Sequence, residues 1–463
     1  MTSWIPDLSG ASAPLYLAIA NALGEAIETR ELPQGVKLPT HRQLALSLGV
    51  SVQTVSAAYR EAERRGLVVG ETGRGTFVRG NGQILESQFI MPRRHEHLID
   101  LSINRPASGF VHAEAVHAVF GALAESMDLA SMTACRPVQG LDQHRVAAVE
   151  WLTRRSVQAA VDQVVICNGA AHGLLLALAT VADPGDTVVT DELTDHGAIL
   201  LASTLHLRLK PLPCDEQGIL PDGFAAACAA GDVRALFTIP TLNNPTCTVM
   251  PLERRRALAA IARRHGVAIV EDDPYSMLLE NPPPALSSFA PELSYYVTTF
   301  TKSLMPGVRT GYLVGPPAQV PRIVSRLRAT SWMATPLVAE IASQWLSDGT
   351  ADRLIQWQRD EMTARQKILQ RALRGFRYRC QRHALHAWLT ISEQWRVEAF
   401  VASLRQRNVA VTPAEVFMVG RGNEPHAVRL SLGATRSRAQ FEQGLTVIAE
   451  LLRRDPEPLL AEA

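Results

Sequence analysis

Lysine is scarce in this chain. Of its 46 Lys and Arg residues only four are lysine: Lys37, Lys210, Lys302 and Lys367. A positive charge with no special duty is written here as arginine, so each lysine invites a chemical reason. Arginine stays protonated in a protein, whereas lysine can lose its proton and form a Schiff base with a carbonyl compound. Long apolar runs are missing too. The stretch GLLLALATVA (173–182) is about half of a membrane span, so no spanning helix is expected. The opening MTSWIPDLSG lacks the basic-then-apolar pattern of a secretion signal. Six cysteines (Cys135, Cys167, Cys214, Cys228, Cys247 and Cys380) form no CxxC pair and keep no regular spacing. They read as buried free thiols of a cytoplasmic protein. A net charge of +1 carries no global signature of nucleic acid, so any DNA contact must come from a local surface. At 463 residues and 47% hydrophobic content, two or three domains with a substantial core are expected.

The first eighty residues are the most patterned. Leu15, Ile19, Leu23 and Ile27 recur every four residues, one apolar stripe on a helix. Thr40 and Gln43 form a capping box ahead of Leu44, Ala45 and Leu48, and Gly49 breaks that helix. Ser51 can cap a third helix in which Val52, Val55, Tyr59 and Ala62 point inward. LVVGETGRGTFV then reads as two short strands about a glycine-rich turn.

LPTHRQLA, LGVSVQTVSAAY and GRGTFV, in this order, resemble a winged helix-turn-helix of the GntR type. The alternative for REAERR alone is an exposed, solvated helix face. The resemblance implies an α+β domain over 12–80 whose second motif helix enters the major groove. It implies that Ser51, Gln53 and Thr54 meet operator DNA, that Arg42 holds a phosphate, and that Arg74 lies in the wing turn. Val52 stands where many relatives carry an arginine. Residues 81–98 lose periodicity and read as a linker. Its His95 and His97 have no third ligand nearby, so no metal is expected there.

From 99 to 457, helical stretches alternate with β-branched runs: TVVTDE, RALFTIP, VAIVEDD, YYVTTFT and AVRLSL. Such alternation predicts an α/β domain with a mostly parallel central sheet, whose ligands collect beyond the carboxyl ends of the strands. Asn244, Asp272, Tyr275 and Lys302 fall there. A lysine imine works as an electron sink only when the attached ring is electron-poor, and a carboxylate keeps a pyridine nitrogen protonated, which suits Asp272. Tyr275 and Asn244 can donate to a ring oxygen. Arg309, the Thr299 hydroxyl and the amides of Gly169, Ala170 and Ala171 suit a phosphate. Arg429 can clamp a carboxylate by its fork.

NNPT, EDDPY, TFTKSLMPGVRTGY and VRLSL, in this order, resemble fold-type I aminotransferases of the aspartate aminotransferase class. The resemblance implies pyridoxal 5'-phosphate held through a Schiff base at Lys302. The departures lie around those residues. Ala170 replaces a hydroxyl residue, and Cys135 stands where a tyrosine normally crosses from the partner subunit. Asp195 replaces an aromatic that stacks on the ring, with His196 beside it, and Cys247 replaces the glycine of NPTG. At most weak or half-reaction transaminase activity is expected. The two domains together resemble the MocR/GabR regulators. That resemblance implies a homodimeric, pyridoxal phosphate-dependent transcription regulator that senses an amino compound or the cofactor itself. An active aminotransferase with an accessory DNA-binding domain, or a DNA-binding dimer that has lost cofactor, are the rival readings.

Overall fold

Three short helices and a hairpin build the first part of the chain: α1 (Leu15–Glu28), α2 (His41–Leu48), α3 (Val52–Arg64), β1 (Val68–Glu71) and β2 (Gly75–Val78). The computed structural model describes residues 4–6, 8, 14–29, 31–32, 36–64, 67–71, 75–78, 97–126, 133, 135–154, 156–420, 422 and 424–454. Arg74 and most of the expected linker, His95 included, lie outside them. The chain forms two units, Met1–Met91 and Pro92–Ala463.

In the first unit, local chemistry sets both ends of α2 and the start of α3. The Thr40 hydroxyl accepts from the Gln43 amide at 3.3 Å, and the Gln43 side chain accepts from the Thr40 amide at 3.0 Å. This box satisfies two of the helix's free donors at once. Gly49, at φ 65, closes α2 in a left-handed conformation that suits glycine. The Ser51 hydroxyl then caps α3 by accepting from the Thr54 amide at 3.0 Å. Ile19, Leu23, Leu44, Val55, Tyr59 and Ala62 form the buried core with Val68 and Val78. Val52 differs from the expectation: it is 45% exposed, because the first residue of α3 lies beyond the core.

The second unit holds a seven-stranded sheet: β3 (Val164–Cys167), β4 (Thr187–Asp191), β5 (Arg208–Leu212), β6 (Val233–Thr238), β7 (Ala268–Asp272), β8 (Ser294–Thr299) and β9 (Gly311–Val314). Their spatial order is β3-β9-β8-β7-β6-β4-β5. Only β9 runs against the rest, so the sheet is mostly parallel. β3, β4, β7, β8 and β9 are buried along almost their whole length, the mark of a sheet covered on both faces. One core gathers around Trp151, Tyr296, Phe300, Tyr312 and Trp345. Another gathers around Phe224, Leu236, Leu258 and Ile269.

AVRLSL is a strand but not part of this sheet. It lies in a separate antiparallel sheet with β10 (Tyr378–Arg379), β11 (His386–Thr390) and β12 (Thr412–Pro413), as β13 (Ala427–Ser431). There Arg429 pairs across the strands with Trp388 and Thr412.

Candidate cofactor site and nucleic-acid surface

Two acids end β7 and a third, Asp273, follows it; strand alternation sends Glu271 and Asp272 to opposite faces. Glu271 turns into the core, where it accepts from Ser287 N at 2.7 Å and lies 3.7 Å from the buried Arg255. Asp273 accepts from the Tyr296 hydroxyl at 2.7 Å and from the Ser276 amide at 3.2 Å. Of these three, Asp272 alone keeps a buried carboxylate oxygen, Oδ1, with no partner among the described residues. Burial, with Asp195 and Asp273 as like charges beside it, raises its pKa well above the usual carboxylate range.

Asp272 lines a cavity of about 200 Å³ together with Ala170, Ala171, Asp195, Tyr275, Thr299 and Lys302, among others. Arg309 also lines it. Lys302 sits just past the end of β8, its ammonium donating to the backbone carbonyl of Asn104. Burial lowers its pKa to about 8; Arg429 and Arg309 add to the lowering, while Asp195 and Asp272 oppose it. The Tyr275 hydroxyl accepts from the Asn104 amide at 3.0 Å, and burial keeps the phenol protonated far beyond its ordinary range.

At the other end of the cavity, Gly169 adopts φ 81 as the cap of α4 (Ala170–Val181). A side chain there would lie 3.1 Å from the Arg309 guanidinium, so glycine permits Arg309 to close on the helix N-terminus. Backbone amides, the helix dipole and a guanidinium together suit an anion. The Thr299 hydroxyl donates to the Thr310 carbonyl at 2.9 Å, so its proton is already engaged. Thr301, which sequence reading passed over, lines the same cavity and bonds Thr299 at 3.0 Å.

Asn244 and Arg429 are joined to each other. Arg429 donates to the Asn244 side-chain oxygen at 2.9 Å and to the Ser102 carbonyl, and its Nε has no partner among the described residues. Phe417 lies under its guanidinium at 4.8 Å. The Asn244 amide donates to Asp195, which also caps α5 (His196–Thr204) through the Gly197 amide at 2.8 Å. Sequence reading missed Asn104 and His386. The His386 ring bonds Asn104 at 3.2 Å and the Asn243 carbonyl at 3.0 Å; burial, with Arg429 nearby, lowers its pKa to about 3 and keeps it neutral. Cys247 occupies a left-handed position, φ 59, where glycine is at ease, and its thiol donates to the His386 carbonyl at 3.1 Å. Cys135 is exposed, its carbonyl accepting from Trp332 at 2.9 Å.

In the first unit, Arg42, Ser51 and Gln53 are exposed and Thr54 is half-buried. The Thr54 hydroxyl bonds Ser51 Oγ at 2.8 Å, so it belongs to the cap of α3 as well as to its outer face. Arg74 lies outside the described residues.

A buried unpaired carboxylate, a lysine beyond the end of a parallel strand and a phosphate-sized cradle at a helix N-terminus fit pyridoxal phosphate on the protein's own groups. This is the architecture of a fold-type I aminotransferase domain, preceded by a winged helix-turn-helix. The chain belongs to the aminotransferase class I and II family, whose model matches residues 96–448; the model of bacterial regulatory proteins of the gntR family matches residues 15–78. It is 29% identical over 463 residues to the uncharacterized HTH-type transcriptional regulator YdeF of Bacillus subtilis, covering 97% of each chain. It is 26% identical over 328 residues to the 2-aminoadipate transaminase of Thermus thermophilus, covering 68% of this chain and 81% of that one. The kynurenine aminotransferase of Pyrococcus horikoshii, solved in complex with PMP, superposes with a TM-score of 0.71 at 21% identity, over 77% of this chain and 91% of that one. At that identity the likeness shows the fold alone.

Proposed function

We propose that this chain is a pyridoxal phosphate-dependent, DNA-binding transcription regulator that responds to a small amino compound or to the cofactor itself. The observation that carries the cofactor reading is the unpartnered Asp272 oxygen in the cavity that also holds Lys302. A relative named as a transcriptional regulator, matched along 97% of both chains, supports the regulator reading.

Bound here, the cofactor supplies an aldehyde for amines and an electron-poor ring. Asp272 would face the ring nitrogen, and the otherwise costly burial of its charge would be offset by a cationic partner. Tyr275, oriented by Asn104, and Asn244 would donate to the ring oxygen. Arg309 and the amides of Ala170 and Ala171 would hold the phosphate, with Thr301 beside them; the Thr299 hydroxyl and the Gly169 amide, whose protons go to the Thr310 and Cys167 carbonyls, would flank it. Lys302 would carry the Schiff base, its lowered pKa leaving part of the amine neutral near neutral pH. Arg429, with its free Nε, would take the carboxylate of an amino-acid effector. On the first unit, Arg42 would hold a phosphate while Ser51, Gln53 and Thr54 face the bases, with Arg74 in the wing turn. Two copies of the chain would read two half-sites.

An active aminotransferase is the second reading, favoured by the 2-aminoadipate transaminase relative and by the survival of Lys302, Asp272 and Arg429 together. The test is the visible spectrum of the purified protein, with cofactor added, during titration with amines and amino acids. A band that changes with an amino compound, without sustained turnover, is the expected result. No visible band would overturn the cofactor reading. Steady multiple turnover, on the order of 10 per second as in ordinary enzymes, would overturn the regulator reading.

A further inference from the structure

The roles assigned above leave one charge in the cavity without a task. Asp195 lines the same space as Lys302 and Asp272. Both of its oxygens are engaged: one accepts from the Gly197 amide at 2.8 Å and the other from the Asn244 side chain. A helix cap alone would need only the first. Asn244 in turn accepts from Arg429 at 2.9 Å, so the carboxylate, the amide and the guanidinium form one hydrogen-bonded chain that starts at the Asp195 lining of the cavity. An amide has two ends; with its oxygen on Arg429 and its nitrogen on Asp195, the orientation of Asn244 is fixed.

We propose that Asp195 is a positioning and charge-setting residue of this site, which orients the Asn244 amide and keeps a negative charge beside the Lys302 amine. The inference rests on the cofactor reading for its significance, but not for its geometry. Burial opposes the charge of Asp195, yet His196, Lys302, the Gly197 amide and Arg429 hold its pKa low. His196, at 3.9 Å, is itself pushed towards neutrality by burial, so Lys302 and Arg429 supply the countercharge. The groups that share the electrostatics of Lys302 are Asp195 and His196 from the start of α5, and Asp272 and Tyr275 at and after the end of β7. Arg309, Arg429 and His386 complete the set. Asp195 is the foremost of those favouring the protonated amine. A neutral aromatic in its place would leave Lys302 facing two arginines with Asp272 as the remaining opposing charge.

Asp195→Asn removes the charge and keeps a cap, since asparagine caps helices as well as aspartate does. Removing a neighbouring opposite charge lowers the pKa of an amine by about one unit. The first measurement uses the full-length protein without cofactor: the rate of acylation of Lys302 against pH, read by peptide mass spectrometry. The midpoint of that profile should move down by about one pH unit in Asp195→Asn, so that labelling at pH 7 is several-fold faster. Asp195→Glu should move it back towards the wild type. The second measurement, on the cofactor-loaded protein, is the pH midpoint of the visible band, which should fall in the same direction. A thermal melt close to wild type separates the effect from misfolding. Coincident Lys302 profiles in wild type and Asp195→Asn would overturn the inference, whatever the cofactor does. Failure of the wild type to develop a band, with the Lys302 profile still shifted, would overturn the cofactor reading and leave the charge-setting role of Asp195 supported.

Discussion

Burial drives the Lys302 amine towards neutrality, Asp195 and Asp272 pull it back, and Arg429 and Arg309 push the same way as burial, leaving a pKa of about 8. At pH 7 roughly one amine in ten is then neutral, against about one in a few thousand for an ordinary lysine. The sign follows: cofactor capture should quicken as pH rises towards 8 and level off above it. Borohydride should fix the cofactor on Lys302 alone; peptide mapping that finds it on Lys37, Lys210 or Lys367 would contradict this. Asp272→Asn keeps the shape but removes the charge that would answer a ring cation. Losing one charge-assisted hydrogen bond of about 1.5–3 kcal/mol should weaken cofactor binding ten- to a hundredfold. Equilibrium dialysis gives that affinity directly. Lys302 was legible in the sequence because lysine is rare here. Asn104 and His386 were not, since they stand 171 and 282 residues from partners with which they share hydrogen bonds, Asn104 with Tyr275 and with His386.

Among the elements, helix caps and strand ends were the parts that sequence disclosed best. Thr40, Gln43, Gly49 and Ser51 act within a few residues, so their pattern survives in one dimension. The strands of the large sheet showed as β-branched runs because both faces are buried. Sequence could not assign β13 to a second sheet, since a strand carries no mark of its neighbour. It also set Val52 inward, although a helix's first turn lies beyond the core that its later turns reach. The double duty of Ser51 allows a separation by experiment. Ser51→Ala should cost about 1 kcal/mol of stability in a denaturant melt, from the lost cap. Gln53→Ala, exposed and without a capping role, should leave the melt unchanged. It should reduce discrimination between operator and random DNA by about 1–3 kcal/mol, measured by competition binding. Arg42→Ala should instead weaken binding on every sequence and flatten its salt dependence, because a phosphate contact releases counterions. Normal operator discrimination in Gln53→Ala would move the reading surface elsewhere on the unit.

The whole molecule joins a small unit suited to DNA with a large one suited to an amine-reactive cofactor. Regulation requires that occupancy of the second alter the first. By linkage, an effector shifts the DNA-bound population only through its different affinities for the bound and free forms. On the proposed function, the departures at Ala170, Cys135 and Asp195 would weaken contacts that serve turnover, while Lys302, Asp272, Tyr275 and Arg309 would still capture cofactor and amine. On the same proposal, sensing would depend on Lys302, which lies in a different unit from Arg42, Ser51 and Gln53. The direct measurement is a gel shift on operator DNA with wild type and Lys302→Ala, each with pyridoxal phosphate and an amino compound that alters the wild-type spectrum. The account predicts that both proteins shift the DNA and that the amino compound changes the shift of the wild type only. A Lys302→Ala protein whose DNA binding still responds to that compound as the wild type does would contradict it.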